Sequence, residues 1–158
     1  MKILFVCLGN ICRSAAAEAI FLKKTQEAGL KGVTIDSAGI LNIHKGQNSD
    51  SRMISHAAKR GYQIVSTSRP ITKEDYRNCD MIIGMDSENI AELQKRATNR
   101  DEYRKIYKMT DFAVKLDFED VPDPYYGGDD GFEKVLDILE DACNGLLDAI
   151  EDKEIIYG

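Results

Sequence analysis

Lys2-Ile3-Leu4-Phe5-Val6-Cys7-Leu8-Gly9-Asn10-Ile11-Cys12-Arg13-Ser14 is the stretch on which the fold turns. Lys2 to Cys7 reads as a short buried strand, because its apolar residues run on without the alternation of a half-exposed one. The polar break Gly9-Asn10 stops it. Ser14 to Leu22 then reads as helix, rich in alanine, with Ser14 placed as a capping-box hydroxyl and Glu18 one position beyond the ideal acid.

Working outward, Val33 to Ser37 alternates like a second strand after the breaks at Gly29 and Gly32. Met53, Ile54, Ala57 and Ala58 recur at helical spacing, with Gly61 where a C-terminal stop belongs. Another helix starts at Thr72-Lys73-Glu74-Asp75. Met81 to Met85 is an unbroken apolar run suited to a strand covered on both faces, Ser87 to Arg96 continues as helix, and Lys105 to Met109 makes a weaker fourth strand. From Phe132 to Ile150 the apolar residues step at helical intervals throughout, behind a start capped by Asp130 with Glu133. Strands alternating with helices predict an α/β fold: a four-stranded parallel sheet with helices on both faces and an anion-binding loop between the first strand and the first helix. In such sheets sites form at the carboxyl ends of strands, where Cys7 lies. Asp117 to Gly131 is the one long irregular segment expected, and long loops in compact domains are often functional.

Composition narrows the function. The 158 residues predict a single domain spanning 1–158, at about 100–200 residues per domain; the sequence does not name an oligomeric state, and a monomer is favoured. The 21 Lys and Arg against 27 Asp and Glu give a net charge of −6, which argues against nucleic acid as partner. The longest apolar run, Ile3 to Leu8, is 6 residues against the roughly 20 of a spanning helix, so membrane insertion is not expected. Lys2, that run and Ala15-Ala16-Ala17 mimic a secretory signal, but Gly9, Asn10 and Arg13 interrupt it, and the expected compartment is the cytoplasm. Cys7, Cys12, Cys79 and Cys143 lack the paired spacing of a zinc site; reduced thiols, no metal and no cofactor are expected.

Cys7 and Arg13 are separated by 5 residues between a strand and a helix, a loop length that wraps one tetrahedral anion. The backbone N–H groups of Leu8, Gly9, Asn10, Ile11, Cys12, Arg13 and Ser14 can form an inward nest, to which the helix start adds its positive end. Gly9 and Asn10 tolerate left-handed backbone. Arg13 offers a planar fork to two phosphate oxygens, and the same donors favour the thiolate of Cys7, which becomes a nucleophile aimed at phosphorus. Neither a nucleotide P-loop nor a dinucleotide Gly-x-Gly-x-x-Gly is present.

A leaving alkoxide or phenoxide needs a general acid. Asp123 is the candidate: Pro122 and Pro124 bias its segment to extended geometry, and Tyr125-Tyr126 would give a stiff, partly dry rim. Asp117, Glu119 and Asp120 are its rivals. Cys12 is a packed thiol beneath the loop or the partner of a reversible disulfide with Cys7. Cys79 and Cys143 read as core residues, and His44 and His56 as surface or packing residues.

With these residues in view, the sequence resembles the low-molecular-weight protein tyrosine phosphatases over nearly its whole length. Val6 to Ser14 matches their phosphate-binding signature. Asp36-Ser37-Ala38, Arg69 with Ile71-Thr72-Lys73-Glu74-Asp75, Met85-Asp86 and Asp123-Pro124-Tyr125-Tyr126-Gly127 follow in the family's order. The resemblance implies hydrolysis of tyrosine-phosphorylated proteins and small aryl phosphates through a phosphocysteine at Cys7. It implies phosphate held by Arg13 and the loop amides, and Asp123 as acid and then base. It further implies that Ser14 donates to the thiolate while Asn10 and Ser37 brace the loop. Ile43, Tyr125 and Tyr126 would line the substrate cleft. Ala15 stands where the family usually has proline; Ile43 replaces a cleft-wall Trp or Tyr, which bears on ring stacking; Ser66 replaces a bracing histidine. The alternatives are a thioredoxin-coupled arsenate reductase, which wants a close downstream cysteine pair, and a non-catalytic phosphopeptide-binding module, which needs neither thiol nor acid.

Overall fold

The computed structural model describes residues 1–124 and 128–152. Its elements are β1 (Lys2–Cys7), α1 (Arg13–Glu27), β2 (Thr34–Gly39), α2 (Ser51–Lys59), α3 (Lys73–Asn78), β3 (Met81–Gly84), α4 (Ser87–Arg96), α5 (Arg100–Arg104), β4 (Ile106–Lys108), a 3-10 turn (Met109–Phe112) and α6 (Asp129–Glu151). The four strands form one parallel sheet in the order β2-β1-β3-β4. Among the described residues, no helix is long and apolar enough to cross a membrane.

The sheet is covered on both sides, and the period-2 geometry of a strand assigns each residue its layer. Ile3, Phe5 and Cys7 of β1, with Met81 and Ile83 of β3, pack beneath α1, α2 and α6. Leu4, Val6 and Ile82 face the opposite layer, where Tyr76 of α3 and Leu93 of α4 cover them. Ala15, Ala16 and Ala17 are all buried, and their small side chains let α1 lie close to the sheet. In α6, Gly145 looks out of place for a helix interior, but a Cβ there would collide with the carbonyl oxygen of Phe112. One turn earlier, the Asp141 carboxylate accepts from the backbone amides of Val114, Lys115 and Leu116 at 3.1, 3.1 and 2.9 Å, tying the chain after the 3-10 turn to α6.

Three local expectations need correction. Ser14 does not cap α1: the N-cap is Cys12, with no side-chain cap, while Ser14 is buried and Glu18 accepts from Ser37 Oγ at 2.5 Å. Asp130 and Glu133 do not cap α6 either. That helix starts earlier, behind Gly128, and Glu133 reaches across to His56 and Arg60 of the α2 region at 2.5 and 2.7 Å. Asp129 to Gly131 is therefore helical rather than loop. At α3 the capping box of Thr72 with Asp75 is present as expected.

Candidate active site

The loop from Cys7 to Ser14 is held open from behind. The carbonyls of Cys7 and Leu8 accept from the amides of Ile40 and Leu41, each at 2.9 Å, and that of Ile11 from Asp50 at 2.7 Å. Gly9 accepts from the Ser68 hydroxyl at 2.9 Å. With these carbonyls engaged outward, the amides from Leu8 to Arg13 donate to no protein acceptor among the described residues, which is the arrangement an anion nest requires. Asn10 supplies the left-handed residue at φ 57°. Gly9 does not. It is glycine for want of space, since a Cβ would come within 2.9 Å of His44 Cδ2.

Cys7 Sγ lies 3.0 Å from Ser14 Oγ. Asn10 Nδ2 donates to the same Ser14 oxygen at 2.8 Å, so the serine proton is left for the sulfur. The orientation of the Asn10 amide is fixed independently, because its Oδ1 accepts from the backbone N–H of Arg69 at 3.1 Å. Arg69 is in turn clamped by Asp36 of β2 at 2.9 Å and by Asp75 of α3 at 2.9 and 3.0 Å. The Asp75 side-chain bonds from Arg69 and the Thr72 amide outweigh the effect of burial and hold its carboxyl below the usual range. A chain of contacts thus runs from two carboxylates through Arg69, Asn10 and Ser14 to the thiol. Sequence reading quoted Arg69 and Asp75 without giving them work, because nothing in their spacing shows that a backbone amide is the contact.

Arg13 is 3% exposed. Its Nη1 donates to Asp86 Oδ2 at 2.6 Å and to the Val121 carbonyl at 3.0 Å, and its Nη2 lies 3.7 Å from Asp123 Oδ2. Burial works against its charge, but Cys7 and the Asp86 carboxylate prevail and keep the guanidinium protonated beyond its ordinary range. Asp86 does double duty, accepting from the Asn89 amide at 2.7 Å as the N-cap of α4. Val121, fully buried, also donates to the Met85 carbonyl at 2.8 Å, so the segment entering Asp123 is pinned at the end of β3.

Cys7, Leu8, Gly9, Ile11, Cys12, Arg13, Ile43, His44 and Asp123 line one cleft of about 220 Å³. Asp123 is the only one of the four carboxyl candidates there. Asp120 is spent on Ser87 and Lys108: despite some desolvation, their hydrogen bonds hold its carboxyl below the usual range. Asp117 and Glu119 are exposed outside the cleft. The dry surroundings expected for Asp123 are not found among the described residues, where its side chain is 39% exposed. Tyr125 and Tyr126 lie outside those residues.

The remaining assignments divide. Ser37 does not touch the loop; its hydroxyl goes to Glu18, whose carboxyl burial pushes up against the hydrogen bonds from Ser37 and Ser66. Ser66 therefore bonds to the half-buried Glu18. His56 is a packing residue, stacked on Phe132 at 5.5 Å. His44, by contrast, belongs to the cleft, and its place was invisible in sequence because the turn carrying it is 35 residues from Gly9 (44 − 9). Cys12 is a free thiol that burial and the nearby Asp50 push well up. Cys79 and Cys143 are core thiols on opposite faces of the sheet, with Cys79 pushed up to about 11, and form no relay. A larger cavity of about 340 Å³ beside Tyr76, Arg77 and Arg96 has no cysteine among its described lining residues.

Against known proteins, residues 2–155 match the family model described as low molecular weight phosphotyrosine protein phosphatase. The crystal structure of a protein tyrosine phosphatase from Entamoeba histolytica, with Hepes in its active site, is 48% identical, with a TM-score of 0.96 over 98% of this chain and 99% of that one. A low molecular weight protein-tyrosine-phosphatase of Streptomyces coelicolor is 38% identical over 155 residues, covering 96% of this chain and 94% of its own. YfkJ of Bacillus subtilis, named likewise, is 36% identical over 156 residues, 98% of both chains.

Proposed function

The chain belongs to the low molecular weight phosphotyrosine protein phosphatase family and is a phosphatase hydrolase; on that premise we propose that it cleaves phosphotyrosine in proteins, and small aryl phosphates, through a phosphocysteine at Cys7. The observation that carries the reading is the convergence of Cys7, Arg13 and Asp123 on one cleft floored by unpaired amides. Cys7 Sγ attacks phosphorus, the ester P–O bond breaks, and the Asp123 carboxyl gives its proton to the departing phenolate. Arg13 and the loop amides take the charge that builds on the equatorial oxygens. Asp123, now a carboxylate, accepts a proton from water as its oxygen displaces sulfur, returning inorganic phosphate and the thiolate. No step calls for a metal ion. The sulfonate of Hepes in the Entamoeba active site is a tetrahedral oxyanion of the kind this loop would hold. The same reading treats residues 1–158 as one catalytic domain and the cytoplasm as its setting.

Asp123→Ala is the test of the acid. It should lower kcat by roughly 10²–10⁴-fold for poor leaving groups such as phenol and by less for activated ones, which depart without a proton. Equal losses across a leaving-group series, or a larger loss in Asp120→Ala, would refute the role.

The reading extends to redox behaviour. Peroxide converts the Cys7 thiolate to a sulfenic acid; the Cys12 thiol attacks that sulfur, water leaves, and an S–S bond joins the two. Without Cys12 the sulfenic acid is left to further peroxide, which carries it to the irreversible sulfinic acid, so after excess peroxide dithiothreitol should restore wild type but not Cys12→Ser, with a loss of about 2 Da on the loop peptide of the wild type alone. Equal recovery without the mass change reduces Cys12 to packing.

A further inference from the structure

We propose that His44 contacts the substrate and forms a subsite for a carboxylate next to the phosphotyrosine. The inference rests on the phosphatase reading and adds to it a preference among phosphopeptides.

His44 is held rigidly for a residue on an exposed turn. Its carbonyl accepts from the Gln47 amide at 2.9 Å, the Gly46 amide donates to the Ser68 carbonyl at 2.8 Å, and the Ser68 amide donates back to Gln47 at 2.8 Å. The Ser68 hydroxyl then bonds to Gly9, so the turn and the phosphate loop are fastened through one residue. The imidazole lies over Gly9 and lines the cleft together with Cys7, Arg13 and Asp123. Its Nδ1 is 3.0 Å from Gln47 Oε1, an acceptor, so Nδ1 carries the hydrogen. That leaves Nε2, beside Gly9, with no protein partner among the described residues.

The tautomer decides what Nε2 does. In the neutral ring it is a bare lone pair and repels a carboxylate. In the imidazolium it is a charged N–H donor and attracts one, and histidine is the side chain that changes charge between pH 5 and 8. The phosphate itself is served at the floor by Arg13 and the loop amides. His44 lines the same cleft from a separate turn, where it would meet residues flanking the phosphotyrosine. The other described walls are Leu8, Ile11 and Ile43, all apolar, and Ile43 is 67% exposed. The charged groups sharing the cleft are Cys7, Arg13 and Asp123; Arg13 is already committed to Asp86, and Asp123 is an acid. On a chain of net charge −6, His44 is thus the cleft's remaining source of attraction for an acidic peptide.

The experiment compares two phosphotyrosine peptides that differ only in Glu or Gln beside the phosphotyrosine. The ratio of their kcat/KM values is followed from pH 5 to 8. Any pH dependence common to both peptides cancels in the ratio, and a peptide glutamate stays ionised over most of this range. In wild type the ratio should fall about two- to fivefold as pH rises, the range an exposed ion pair supplies. In His44→Gln it should be flat and low, and in His44→Lys flat and high. A flat ratio in wild type overturns the proposal, as does the same slope in wild type and His44→Gln. If wild type hydrolyses neither peptide nor a small aryl phosphate, the phosphatase reading itself has failed, and the proposal with it.

Discussion

A Cys7→Ser variant is expected to turn over no aryl phosphate, a loss of at least about 10³-fold, while still binding inorganic phosphate. Everything that holds the anion survives the change. The amides from Leu8 to Arg13 are backbone groups, Arg13 keeps its anchor on Asp86 at 2.6 Å, and a serine oxygen, smaller than the sulfur, brings no clash. What disappears is the charge on the nucleophile, because a hydroxyl is not ionised near neutrality. Ser14, 3.0 Å from Cys7 Sγ, then faces a second neutral hydroxyl and has no anion to stabilise. Turnover and the rise of the thermal midpoint with added phosphate should be measured together, since a ligand that binds the folded state alone stabilises it by mass action. Activity within about tenfold of wild type would remove Cys7 from the mechanism. Loss of phosphate stabilisation would mean that the loop itself depends on the thiol.

Arg13→Lys should cost nearly as much in kcat/KM, about 10²-fold or more, although the charge is kept. The guanidinium is already divided: Nη1 is taken by Asp86 and the Val121 carbonyl, and the rest of the fork remains for phosphate, with Nη2 3.7 Å from Asp123. A single ammonium cannot hold Asp86 and two equatorial oxygens at once. Because the same side chain fastens the segment entering Asp123 to the end of β3, the acid should also lose its alignment, so kcat falls as well as affinity. A loss under tenfold in kcat/KM would mean that another cation carries the phosphate.

The strands were legible because each is a short apolar run with polar punctuation, and a parallel sheet buried on both sides leaves no other use for Met81 to Gly84. The loop was legible because a thiol, an asparagine, an arginine and a serine follow one another at fixed spacing between a strand and a helix. Capping was misread at α1 and α6 for one shared reason. Ser14, Glu18 and Glu133 are residue types that cap helices, but long-range partners, Cys7, Ser37, and His56 with Arg60, claim them instead. Propensity is a local preference of modest size, and a buried hydrogen bond left unmade costs more.

The sequence by itself determined the alternating α/β order and singled out Cys7 and Arg13 as candidates for nucleophile and phosphate ligand, since both depend on neighbours within a few residues. Only the tertiary structure decided which groups complete the site. Asp86 on Arg13, Arg69 on Asn10 and His44 over Gly9 join positions 73, 59 and 35 residues apart (86 − 13, 69 − 10, 44 − 9). No periodicity reports such pairings. They are fixed when the strands align in parallel and bring their carboxyl ends, with the loops that follow, to one edge of the sheet. Gly9 shows the difference most plainly: sequence reading gave it a backbone reason, and the fold gave it a neighbour's ring.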